Sequence, residues 1–167
     1  MNDYGLTLIK NKYPMAEGKL GIRPMMPDDI AKVVAFEEER KQLPQVPFTM
    51  HHTLHAGMYA RTMKMPANTV LTGALIKIAT ILIVSGNAAI YAGENQDPIH
   101  VNNDYAVIPA SANRKQAIRA YEDTHLTMLF PTTATTVEEA ENQFTDEANE
   151  LGSRKPDADN IIVQTGD

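Results

Sequence analysis

The stretch Thr69–Tyr91, TVLTGALIKIATILIVSGNAAIY, is the most apolar in the chain and constrains its fold most strongly. Its length matches a membrane span, since a spanning helix needs about 20 apolar residues. Its composition points elsewhere. Lys77 lies near the middle, and a lone cation at bilayer depth is costly. Gly73 and the Ser85-Gly86-Asn87 cluster cut the run into strand-length pieces. Val, Ile and Thr dominate, and their β-branched side chains suit a pleated surface. The flanks are polar and carry no basic asymmetry. The stretch therefore predicts buried strands. Leu75–Val84 is the clearest, Ser85-Gly86-Asn87 reads as a hairpin turn, and Ala88–Tyr91 reads as the returning strand.

A chain of 167 residues has room for one domain with a sizeable core. Its 43% hydrophobic and 22% charged residues place it among ordinary globular proteins rather than disordered ones. The net charge of −6 removes the basic face that nucleic acid or anionic membranes require, so neither is expected as a partner. Tryptophan is absent, which leaves little to stack on single-stranded bases. Cysteine is absent too, so disulfides, thiolate metal sites and a Cys nucleophile are excluded. The opening MNDYGLTLIKNKYP has no charged n-region, apolar h-region or cleavage site, so no signal peptide is expected. The expected location is the cytoplasm, whose reducing conditions fit a chain without cysteine.

Residues 1–26 contain Gly5, Pro14, Gly18, Gly21 and Pro24 and read as an N-terminal arm. Pro27-Asp28-Asp29 opens a helix over 27–42, with Ile30, Val33 and Val34 as its apolar stripe. Three histidines, His51, His52 and His55, follow in a pre-strand loop. In an extended segment His51 and His55 share a face and His52 opposes them. Met58–Met65 reads as a strand with Tyr59, Arg61, Met63 and Met65 on one face. Pro98–Val101 and Tyr105–Ile108 read as short strands around a turn at Asn102-Asn103-Asp104. Gln116–Tyr121 and His125–Phe130 are strand-like, with Glu122-Asp123-Thr124 between them. Short strands punctuated every 8–12 residues predict a sandwich or jelly roll. Thr136 and Glu139 form a capping box that opens a C-terminal helix over 136–152. Val137, Ala140, Phe144, Ala148 and Leu151 make its stripe, and Gly152 its stop. Residues 153–167 read as a polar tail whose apolar patch is Ile161-Ile162-Val163.

Leu43-Pro44-Gln45-Val46, Gly57-Met58-Tyr59-Ala60-Arg61, Met65-Pro66-Ala67-Asn68-Thr69-Val70, Thr72-Gly73, Glu122-Asp123-Thr124 and Phe130-Pro131-Thr132 together resemble the cupin-like proteins of tailed bacteriophages. The resemblance spans about Pro44–Thr132. It implies a mainly β fold: a cupin-like small jelly-roll barrel over 43–132, with one helix before it and one after. It also implies a central pocket and dimerisation. Members of the family hold a divalent metal through His and Glu, but those positions do not carry over. Where relatives read His-Lys-x-Glu-His, this chain reads Ile76, Lys77, Ile78, Ala79 and Thr80. Tyr121 stands where a later His precedes Glu-Asp-Thr. Ile and Ala offer a metal no lone pair, and Thr and Tyr are poor zinc or iron ligands. A degenerate cupin with no metal and no cofactor is therefore expected, unless His51, His52, His55 or His125 rebuild a site.

A barrel without its metal keeps a cavity. Alternation along the strands would put Ile76, Ile78, Thr80 and Leu82 inside, joined by Tyr121 and Arg119, with Tyr59 and Arg61 on the neighbouring strand. Tyr59, Arg61, Thr80, Arg119 and Tyr121 are thus the candidate ligand-binding residues, suited to a small polar or anionic molecule. Tyr121, Asp123 and His125 are the candidate catalytic residues of a metal-independent isomerase or lyase. Three readings follow. The first is a non-enzymatic accessory protein that binds or sequesters a small molecule. The second is a virion structural or oligomeric interaction protein, a homodimer or larger. The third is the metal-independent enzyme.

Overall fold

The computed structural model describes residues 21–165, so most of the arm expected over 1–26 lies outside the described residues. The last six positions of that arm are pinned down. Ile22 and Met25 are buried, and Ile22 N donates to Pro109 O at 2.9 Å.

Helix α1, Pro27–Arg40, starts on a proline whose fixed φ suits the first helical position. Asp28 and Asp29 sit in its first turn and Arg40 in its last, as the helix dipole favours. Eight strands follow: β1 Thr49–His55, β2 Met58–Met65, β3 Thr69–Thr72, β4 Thr80–Tyr91, β5 Ile99–Ala110, β6 Ala117–Ala120, β7 Thr124–Pro131 and β8 Asp159–Thr165. Helix α2, Val137–Phe144, lies between β7 and β8. The sheet order is β3-β6-β4-β7-β2-β1-β8, with β5 on the free side of β4. Every pairing is antiparallel except β1 with β8.

β4 is the branch point. β5 pairs along its whole length, while the opposite edge is divided: β7 takes Ile81–Ser85 and β6 takes Ala88–Tyr91. Two strands meeting end to end on one edge curl the sheet into a half-barrel. The result is the mainly β fold with a helix before and after it that the sequence predicts. Met50, Met63, Leu82, Val84, Ile90, Ile118 and Leu126 fill its interior. A second apolar cluster, Leu54, Tyr59, Phe130, Phe144 and Leu151, joins one end of the sheet to α2.

The central stretch divides differently from the sequence expectation. Within the expected strand over Leu75–Val84, residues 75–79 are not in a strand; Ile76 makes a lone bridge to Arg114 there. The expected hairpin at Ser85-Gly86-Asn87 is absent. β4 runs straight through it, with a register shift between Gly86 and Asn87. The expected turn at Asn102-Asn103-Asp104 lies directly opposite. Gly86 pairs with Asp104 and Asn87 with Asn102, which leaves Asn103 as the extra residue at φ 53°. Two turn signals thus combine into one β-bulge. Gly86 is required there, because a Cβ would sit 2.6 Å from Thr124 Oγ1 and 2.8 Å from Asp123 O.

The C-terminal helix is shorter than expected. Thr136 caps it as predicted, its Oγ1 accepting from Glu139 N at 3.2 Å. The helix stops at Phe144, whose carbonyl accepts from Lys77 N at 2.9 Å. Buried Thr145 then turns extended and its hydroxyl accepts from Glu147 N, a local bond that competes with helix. Two 3-10 turns, Ala148–Glu150 and Gly152–Arg154, complete the path. Ala140, Phe144, Ala148 and Leu151 still reach the same apolar cluster. The polar tail carries β8, which pairs in parallel with β1. All seven β8 residues are exposed, so no alternation betrays the strand in the sequence.

Candidate functional site: a cationic cavity in the half-barrel

A cavity of about 170 Å³ lies against the inner face of the sheet. Met50, Met63, Leu82, Ile118, Leu126 and Phe144 are among its apolar walls. Its polar lining comes from Arg61, Thr72, Arg114 and Gln116.

Arg114 is the unusual member. The chain leaves β5, turns at Asn113 with φ 59°, and bridges to Ile76 through Ile76 N and Arg114 O at 2.8 Å. That bridge fixes the backbone, and the side chain is 1% exposed. Its Nε donates to Gln116 Oε1 at 3.2 Å. Nη1 donates to the carbonyls of Ser111 at 2.5 Å and Ile78 at 3.3 Å. Nη2 donates to Thr80 Oγ1 at 2.6 Å. These acceptors are all neutral. Among the described residues no carboxylate pairs with Arg114, and burial alone pushes its pKa down to about 10. Nη2 carries two hydrogens, and Thr80 takes one. A buried guanidinium with neutral partners has no counter-charge, and part of its planar donor fork is left over.

Arg61, the second cation on the cavity, is differently placed. It pairs with Glu141, which is 2% exposed and also receives Arg154 Nε at 2.7 Å and Ser153 Oγ at 2.5 Å. Burial pushes the Glu141 carboxyl upward, but the bonds from Arg154 and Ser153 and the Arg61 charge hold it below its usual value. Arg154 also pairs with Glu138 at 3.7 Å, so two arginines are balanced by two carboxylates beside the cavity.

The structure separates the sequence-predicted ligand set. Arg61 lines the cavity, and Thr80 stands behind Arg114 as its acceptor. Tyr59 is fully buried, stacked near His52 and edge-on to Phe130 at 5.3 Å. Its hydroxyl lies 2.8 Å from His52 Nδ1, and burial raises its pKa to about 12. Arg119 and Tyr121 are exposed on the outer face, with the guanidinium 5.1 Å from the Tyr121 ring centroid. They line a separate hollow beside α1, with Val33 and Phe36.

The three catalytic candidates are also parted. Asp123 and His125 share an open groove with His51 and Lys64, and Tyr121 is not part of it. Asp123 pairs with Lys64 at 2.6 Å and accepts from Ala67 N at 3.0 Å; those contacts hold its pKa below normal. The histidines lie on β1 rather than in a pre-strand loop. His51 and His55 face outward and His52 inward, the alternation predicted for an extended segment. His52 has both ring nitrogens engaged, Nε2 lying 3.1 Å from Asn160 Oδ1. Among the described residues no three His, Asp or Glu side chains gather as a metal site. Of the positions the resemblance points to, Ile76 and Thr80 are buried, whereas Ala79 and Tyr121 are exposed.

Arg114 and Gln116 are absent from the sequence-derived set. Gln116, Ile118 and Ala120 share the buried parity of β6, but Arg114, Lys115 and Gln116 are buried in succession, so the alternation does not extend cleanly back to Arg114.

No family model matches the chain, and no curated protein matches it. Solved structures do. An RmlC-like cupin protein from Desulfovibrio desulfuricans is similar at 14% identity and a TM-score of 0.38, over 51% of this chain and 82% of that one. A cupin-2 domain protein from Shewanella frigidimarina is similar at 15% identity and a TM-score of 0.38, over 60% of this chain and 96% of that one. A salicylate 1,2-dioxygenase from Pseudaminobacter salicylatoxidans is similar at 10% identity and a TM-score of 0.45, over 81% of this chain and 44% of that one. Fold and site together define a mainly β half-barrel, flanked by two helices, with a cationic cavity inside. Among the described residues no helix is long and apolar enough to cross a membrane.

Proposed function

We propose that this chain is a non-enzymatic, cupin-like accessory protein of phage type that binds or sequesters a small anionic molecule in its half-barrel. One observation carries the reading: Arg114 is buried on the cavity wall among neutral acceptors. A buried cation without a counter-charge costs several kcal/mol, and an anion entering the cavity offsets that cost. The apolar walls supply the rest of the binding energy and limit the ligand's size. The reading names a carboxylate- or phosphate-bearing molecule of a few heavy atoms.

Native mass spectrometry of the purified protein, followed by mass analysis of small molecules released on denaturation, tests the proposal. A stoichiometric anionic adduct that disappears in Arg114→Met is the expected result. An adduct that persists in Arg114→Met contradicts the proposal, as does a folded protein that takes up no carboxylate or phosphate from a small-anion panel.

A further inference from the structure

β8 is a strand without a visible reason to be one. Its seven residues, DNIIVQT, are exposed throughout, and Ile161, Ile162 and Val163 are 46%, 54% and 50% exposed. Asn160 bonds His52 and Ser153, and Gln164 donates to Thr135 O, but the apolar triplet is exposed and its burial contributes little. It is also the last strand in the sheet order, so one edge of its backbone has no partner among the described residues. Natural edges are blunted by Pro, Lys, bulges or shortness. β3 has only four residues. β5 carries the Asn103 bulge and Pro109, and Ile22 covers its end. β8 has none of these devices.

We propose that β8 is a homodimerisation edge, pairing antiparallel with β8 of a second copy about a two-fold axis through Ile162. The sequence of the strand is self-complementary in that register. Ile162 faces Ile162, Ile161 faces Val163, and Asn160 faces Gln164. Asp159, the strand's one charged residue, faces Thr165, so no like charges meet. Such an isologous contact joins two half-barrels through one continuous sheet. It covers the apolar triplet on both faces, because cross-strand neighbours pack on each side of the pleat. The inference does not depend on the cavity or its ligand.

The absence of cysteine makes the register directly testable. In the proposed pairing the two copies of residue 162 have Cα atoms about 4.5–5.5 Å apart, within disulfide reach. Residue 161 faces residue 163 and lies too far from its own copy. The expected result is a native mass of twice the 18.4 kDa chain. Mild oxidation should cross-link Ile162→Cys to near completion and leave Ile161→Cys uncross-linked. Mixing Ile161→Cys with Val163→Cys should restore the cross-link. Ile162→Lys should weaken the dimer at least tenfold while the circular dichroism spectrum stays unchanged. A monomer at 100 µM overturns the proposal. So does a dimer whose constant is unchanged in Ile162→Lys, or one that is broken by Val107→Lys on β5 instead.

Discussion

Arg114 and Lys115 are adjacent in sequence and equally buried, yet the protein treats their charges in opposite ways. Lys115, 2% exposed, lies between Glu37 and Glu147, each 3.1 Å from its Nζ. Those carboxylates come from α1 and from the turn after α2. Thr72 also donates to Glu37, and Leu75 N to Glu147. The lysine is thus a structural clasp that draws both flanking segments onto the rim of the half-barrel. Arg114, one residue earlier and on the opposite side of the backbone, faces the cavity with neutral oxygens only. A protein able to place two carboxylates around one buried cation places none around its neighbour. The difference marks one charge as paired and the other as held by neutral groups alone, and on the proposed function the latter is the one that meets a ligand.

Stability measurements should separate the two. Lys115→Met leaves Glu37 and Glu147 facing each other without their cation. We expect a loss of about 2–3 kcal/mol in urea denaturation, in line with breaking a buried pair from one side. Arg114→Met removes an uncompensated buried charge while giving up bonds to neutral acceptors. It should stay within about 1 kcal/mol of the wild type in anion-free buffer. Equal losses in the two variants would erase the distinction.

Glu141→Gln sharpens the comparison from the other side of the cavity. It strips Arg61 and Arg154 of their shared carboxylate and should cost about 2 kcal/mol at neutral pH. The folded-state pKa of Glu141 lies below its unfolded value. Its contribution is therefore present above pH 4.5 and lost as pH falls through the folded pKa. An acid titration of stability should lose that share of its slope in the variant. Anion binding should tighten, because Arg61 then faces the cavity without compensation.

The smallest expected effect belongs to His52, held neutral by burial between Tyr59 and Asn160. Burial lowers its pKa, so its stabilising share is complete above pH 6.5 and fades as pH falls toward the folded value. Thermal melts between pH 7 and 5 should show a flatter decline in His52→Gln.

Much of the fold was legible in the sequence. β2 matches its expected bounds, and its inward face, Tyr59 to Met65, follows from alternation alone. The capping box at Thr136 also reads correctly. The errors have a common physical origin. Ser85-Gly86-Asn87 and Asn102-Asn103-Asp104 are each good local turns, and only their pairing across two strands turns them into a bulge. β8 lacks a buried face, so periodicity cannot reveal it. The site was harder to read. The structure places Arg61 on the cavity and Thr80 beside it, whereas Arg119 and Tyr121 lie outside because β6 buries Ile118 and Ala120 instead. Arg114 sits in an irregular PASANR segment, where composition signals a loop and hides the inward register.

The central claim is that Arg114 binds an anion, and isothermal titration with inorganic phosphate and small carboxylates at fixed ionic strength tests it most directly. A charge-assisted bond is worth about 1.5–3 kcal/mol, or about 10- to 140-fold in affinity. The account predicts saturable one-to-one binding by the wild type, weakened by that factor in Arg114→Met and unchanged in Arg119→Met. Equal affinity in Arg114→Met, or no saturable binding to the folded wild type, would contradict it.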